Sequence, residues 1–133
     1  MTRALWCGAR TVPDDRDTLA ALRERVRQFV AEREWQRFHD AKNLSMSLAI
    51  EAAELMEHFQ WVRSDELPAL LDDPARRAEI RDELADVACY LLALANTLEL
   101  DLSDAIIDKL RKNALKYPAE KFKGWYERPS RQT

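Results

Sequence analysis

The sequence predicts an all-α fold, a four-helix-type bundle that assembles as an oligomer. Three observations carry this. Only two glycines and five prolines occur in 133 residues, which leaves few turn signals for strands. Ala, Leu, Glu and Arg, all good helix formers, dominate the composition. Apolar residues recur at spacings of three and four in separate windows bounded by capping residues. A chain of this length with 47% hydrophobic residues is the size of one domain with a real core.

Residues 1–16 contain Pro13 and most of the run Asp14-Asp15-Arg16-Asp17, lack periodicity and read as a flexible or partner-docked arm with Trp6 as its anchor. The folded domain is expected over 17–118. Leu19, Leu22, Val26, Phe29 and Val30 set the apolar stripe of a first helix from about Thr18 to Glu32. The stretch EREWQRFHDAKNL breaks that rhythm, and Asn43 or Ser45 is the expected cap of a second helix running to about Trp61. Residues 63–73 hold Pro68 and predict a short turn or helical piece. Asp73 followed by Pro74 is a cap and first-position pair, opening the longest helix, to about Leu98, through Ile80, Leu84, Val87, Leu91 and Leu94. Ser103 is the expected cap of a last main helix carrying Ile106, Ile107 and Leu110, which must end near Tyr117 because Pro118 follows. Residues 119–133, with Phe122, Trp125 and Tyr126, are not periodic and read as an irregular tail. The second and third main helices carry more apolar surface than one four-helix unit covers, hence the expected self-association.

Composition also excludes function classes. A net charge of −3 and the absence of any Lys/Arg run argue against a nucleic-acid polymer as partner. Cys7 and Cys89 are too few for a disulfide framework, and Cys89 in an apolar helical run reads as a buried free thiol, which fits a reducing compartment. The N-terminal MTRALWCGAR has no hydrophobic region of adequate length for export. The longest apolar run, VACYLLALA, is short of the roughly 20 residues a membrane span needs, so a cytoplasmic protein is expected.

Two carboxylate pairs raise the question of chemistry. On a helix advancing about 100° per residue, Glu51 and Glu54 lie about 60° apart, beside the stripe of Leu44, Leu48 and Leu55. Glu83 and Asp86 repeat the offset beside Ile80, Val87, Leu91 and Leu98. Antiparallel packing of these two helices on their apolar stripes would bring four carboxylates together. Such a cluster repels itself unless cations hold it, and an all-oxygen set without His or Cys selects Mg²⁺, with Mn²⁺ as a substitute, over zinc. Metal-assisted hydrolysis of a phosphoanhydride is the chemistry implied. The competing reading takes all four as solvated surface acids, since such pairs are common on helices.

Glu51-x-x-Glu54, Glu83-x-x-Asp86, then Lys109, Asn113 and Lys116-Tyr117-Pro118 resemble, block by block, the all-α nucleoside triphosphate pyrophosphohydrolases of the MazG-like superfamily. The connector EREWQRFHDAKNL and the FQW ending at Trp61 look most like the dCTP pyrophosphatase branch. The resemblance spans about Leu22 to Pro118. It implies release of a monophosphate and pyrophosphate from a nucleoside triphosphate, dCTP or a modified dCTP, with Mg²⁺ held by Glu51, Glu54, Glu83 and Asp86, and a homotetramer built as a dimer of dimers. One of the four acids, Glu54 for preference, can instead orient or deprotonate the water. Lys109, Asn113 and Lys116, with Tyr117, are the expected receivers of the triphosphate. Trp35, His39, Trp61 and Tyr90 match positions around base and sugar. Each also has a plainer reading, the lysines as a solvated face, the tryptophans as core anchors and His39 as a structural donor. The same reaction on dUTP or on a broad or oxidised set of triphosphates stays open, as does a noncatalytic helical oligomer.

His58 falls on the stripe of Glu51 and Glu54, yet follows Glu54 by four where a di-iron bundle needs a spacing of three, and the facing helix offers no histidine. It is not expected to be a ligand. Glu57 and Glu79 read as solvated acids.

Overall fold

The computed structural model describes residues 14–124, all helices and turns with no strand among the described residues. Trp6, Cys7, Trp125 and Tyr126 lie outside the described residues.

α1 spans Leu19–Glu32, one residue after the cap Thr18, whose side chain accepts from the Ala21 N–H at 3.1 Å. It ends as Glu34 turns left-handed (φ 54°), letting the Glu34 N–H reach the Ala31 carbonyl at 3.0 Å. A single 3₁₀ turn, Trp35–Phe38, fills the aperiodic connector. α2 covers Ala41–Glu57. Its cap is Asp40, which accepts from the Asn43 N–H at 2.7 Å, rather than the expected Asn43 or Ser45. The carboxylate takes the free N–H three residues on, and the Asn43 side-chain amide turns back to donate to the Phe38 carbonyl, at 3.1 Å. α2 also stops short of Trp61, because the bonds from Phe59 to Met56 and from Val62 to Phe59 tighten the chain into successive turns.

The segment with Pro68 forms the short α3, Leu67–Asp72. α4, Pro74–Thr97, is the longest helix and is capped as expected by Asp73, which accepts from Ala75 at 2.9 Å and Arg76 at 3.4 Å. α5 runs Leu102–Lys116. Its cap is Asp101, accepting from Asp104 at 2.9 Å, and not Ser103, which falls inside the first turn. After Pro118 the expected irregular tail makes one more helical turn, α6, Ala119–Phe122.

Contacts divide the chain into two compact units, one through Glu99 and one from Leu100. In the first, α2 packs along α4, and α1 and α3 rest on α4 as well. Leu44 of α2 is 2% exposed and sits with Val30, Leu92, Ala93 and Ala95 in the core. Asn96 ties α1 to α4, since its side chain accepts from Arg23 Nε at 2.9 Å and donates to the Arg23 carbonyl at 3.0 Å. Leu84, Leu91 and Leu98, expected in the core, are exposed. Seven residues apart, they share one face of α4, while its buried face carries Leu92, Ala93 and Ala95. Cys89, expected to be buried, is exposed as well.

Candidate functional site

The packing of α2 on α4 decides where the acids go. Glu51, Glu83 and Asp86 each present a carboxylate oxygen within 4.8 Å of the others. Glu51 and Glu83 are half-buried and Asp86 is exposed. Glu51 records the crowding, for partial burial, and then the charges of Glu54, Asp86 and Glu83, push its carboxyl above the ordinary value. Glu54 is exposed and stands outside this trio, but with Glu83 it borders a cavity of about 470 Å³ whose walls also include Glu57, His58 and Arg76. Glu83 therefore belongs to both the trio and the cavity. All donors in the trio are carboxylate oxygens, a set that fits a hard divalent ion such as Mg²⁺ and lacks the nitrogen or sulfur that favours zinc.

The aromatic group assembles at the C-terminal end of α1 and in the 3₁₀ turn that follows. Trp35 meets Phe29 edge to face, ring centroids 5.9 Å apart, and lies 6.3 Å from His39 at a tilt of 36°. The Arg33 guanidinium covers the Phe29 ring at 3.5 Å. His39 is half-buried, and this burial lowers its pKa. It borders a second cavity, about 270 Å³, with Gln36, Arg27 and Asn96. Trp61 is 85% exposed, which excludes core anchoring as its role within this chain. Tyr90, one turn after Asp86 on α4, is half-buried.

In the second unit, α5 exposes Lys109 and Lys116 and half-buries Asn113. The Asn113 carbonyl accepts from the Tyr117 N–H at 2.8 Å, closing the helix. Lys116 Nζ lies 5.3 Å from the centroid of the Tyr117 ring, which meets Phe122 edge to face at 5.3 Å. The three α5 side chains share a face because their spacing is four and three. Arg76 has no motif to mark it in the sequence. Its one signal is its position, seven residues before Glu83 and so on the same side of α4.

The family model of the MazG-like family matches residues 46–128, a stretch that contains both carboxylate pairs and the α5 motif. The chain belongs to the MazG-like family. Among curated relatives, dCTP pyrophosphatase 1 of Mus musculus is 39% identical over 107 residues, covering 80% of this chain and 63% of that protein. The Homo sapiens dCTP pyrophosphatase 1 is 40% identical over 102 residues, covering 77% of this chain and 60% of the human protein. This MazG-like chain thus spans less than two thirds of the length of the curated relatives it matches. A crystal structure of a pyrophosphatase from Archaeoglobus fulgidus superposes with a TM-score of 0.71 at 38% identity, covering 81% of this chain and 99% of that one. The all-α architecture is therefore shared with that solved pyrophosphatase over nearly its whole extent.

Proposed function

We propose that the chain is a Mg²⁺-dependent nucleoside triphosphate pyrophosphohydrolase acting on dCTP or a modified dCTP in the nucleotide pool of the cytoplasm. The observation that carries this reading is the meeting of Glu51, Glu83 and Asp86 from two helices within 4.8 Å, in a chain whose relatives are dCTP pyrophosphatases. Glu51, Glu83 and Asp86 would hold the metal. A Mg²⁺ held by these acids would supply charge neutralisation for the phosphates and Lewis acidity toward the attacking water.

The protein's own groups do the rest. Glu54, outside the trio and more open to solvent, would act instead of holding the metal, orienting the attacking water and accepting its proton. Lys109, Asn113, Lys116 and Tyr117 receive the triphosphate, the lysines as cations and Asn113 as an amide donor. Trp35 and Trp61 offer flat faces to the base, while His39 and Tyr90 supply polar edges for base or sugar. The 85% exposure of Trp61 and the exposed leucines of α4 support a homotetramer, built as a dimer of dimers, in which a second copy covers them.

Pyrophosphate release from dCTP, 5-methyl-dCTP, dUTP, dTTP, dATP and dGTP, with Mg²⁺ and with EDTA, tests the proposal. Metal-dependent release concentrated on cytosine nucleotides and lost in Glu54→Gln is the expected result. Release spread evenly over all bases would retain the reaction and remove the specificity. No release from any of them would overturn the reading.

A further inference from the structure

The cavity between the end of α2 and the start of α4 holds two side chains that the carboxylate chemistry does not use, His58 and Arg76. His58 is the C-cap residue of α2, and Arg76 lies in the first turn of α4. Glu79 stands between them, with its Oε2 3.9 Å from His58 Nδ1 and 4.0 Å from Arg76 Nη1. Both separations exceed hydrogen-bond length, so Glu79 lies near the two groups without occupying their donors. The Arg76 side chain is 54% exposed and, among the described residues, donates no side-chain hydrogen bond.

The charges in this cavity need an explanation. Glu54, Glu57 and Glu83 line it, and Arg76 is its one permanently charged cation. An arginine with free donors that opens into a cavity shared with Glu54 and Glu83 is suited to an anion bridged to Glu83 by a metal. Arg76 and Glu83 stand two turns apart on one side of α4, about 10 Å along the axis. A chain of phosphates held at the acids extends over that range toward the guanidinium, whose planar fork matches phosphate oxygens.

We infer that Arg76 and His58 form the subsite for the terminal phosphates, the pair that departs as pyrophosphate. This rests on the pyrophosphohydrolase reading above and adds a site to it. Arg76 donates from its fork and His58 from one ring nitrogen, and the Glu79 carboxylate between them competes with the anion for both. The water oxygen forms its bond to the α-phosphorus as the bond from that phosphorus to the bridging oxygen breaks. The bridging oxygen, with its electron pair, leaves on the pyrophosphate held at Arg76, and the proton of the water passes to Glu54.

Three variants test this, Arg76→Gln, Arg76→Lys and Glu79→Gln, each checked for an unchanged helical circular-dichroism spectrum and melting temperature. The measurements are the Ki of Mg²⁺-pyrophosphate as a product inhibitor, the split between KM and kcat for dCTP, and calorimetric binding of pyrophosphate with Mg²⁺. Loss of a charged donor predicts a rise of about tenfold or more in Ki, Kd and KM for Arg76→Gln, with partial recovery in Arg76→Lys. Glu79→Gln removes a competing anion and should bind pyrophosphate as well as or better than the wild type. If Arg76 served only its ion pair with Glu79 within α4, Glu79→Gln would do the same harm as Arg76→Gln, and that result overturns the inference. So does an unchanged Ki and Kd in Arg76→Gln. A wild-type chain that releases no pyrophosphate from any nucleotide sinks the functional reading instead, and the calorimetric comparison of pyrophosphate binding still decides the subsite.

Discussion

Glu51 is the residue at which folding and chemistry conflict. Its carboxyl is half-buried, and three neighbouring acids add to the cost of its charge, so its pKa is raised. A raised carboxylate pKa means the folded state binds the proton more tightly than the unfolded one. Its contribution to stability is full below the unfolded value and is lost as pH rises through the folded one. Without metal, Glu51→Gln should therefore raise the melting temperature at pH 7, and the gain over wild type should shrink as pH falls toward 4. A thermal melt series in EDTA checks this, and saturating Mg²⁺ should reverse the order of the two proteins. Glu99 carries another local cost, since its φ of 53° is left-handed backbone at the end of α4. Glu99→Gly should stabilise the protein by roughly 0.5–1 kcal/mol in urea unfolding, because glycine adopts that conformation without steric cost.

Among the elements, α4 organises the first unit, as α1, α2 and α3 all rest on it. Asn96 satisfies donors and acceptors from α1 at a part-buried position, so Asn96→Ala leaves the Arg23 Nε and the Arg23 carbonyl without this partner and should cost about 1–3 kcal/mol in urea unfolding. Leu44→Ala, at the most buried side chain, should cost about 2–5 kcal/mol. α4 was the helix most readable from sequence, since Asp73-Pro74 announces its start and its apolar residues repeat over seven turns. The starts of α2 and α5 were misread because several residues there can cap, Asp40 against Asn43 and Ser45, and Asp101 against Ser103. Which one wins depends on where the chain leaves extended backbone, and composition does not encode that point.

On the scale of the whole molecule, the large apolar side chains that the described residues leave in solvent support the proposed oligomer. Leu84, Leu91 and Leu98 line one face of α4, and Ile50, Met56 and Trp61 add large exposed surfaces from α2 and the turn after it. Light scattering coupled to size exclusion should give a multimer, with four copies expected. Leu98→Glu should shift it to smaller species while leaving the helical signal in place. A monomer at micromolar concentration in the unmutated protein would remove the tetramer from the proposal.

By itself the sequence determined that the protein is all-α, where its main helices lie to within a few residues, and which acids share an edge with the apolar stripes, because helical periodicity and capping are local. It also carried the family, through blocks whose spacing is written in the chain. Tertiary structure alone decided that Glu51, Glu83 and Asp86 converge while Glu54 turns toward the neighbouring cavity. It likewise decided that His58 and Arg76 share that cavity across two helices, and that three leucines of α4 face solvent. These facts depend on the rotation and register of α2 against α4. A side chain's angle on its own helix follows from counting residues, but the partner it meets follows from how two helices fit together.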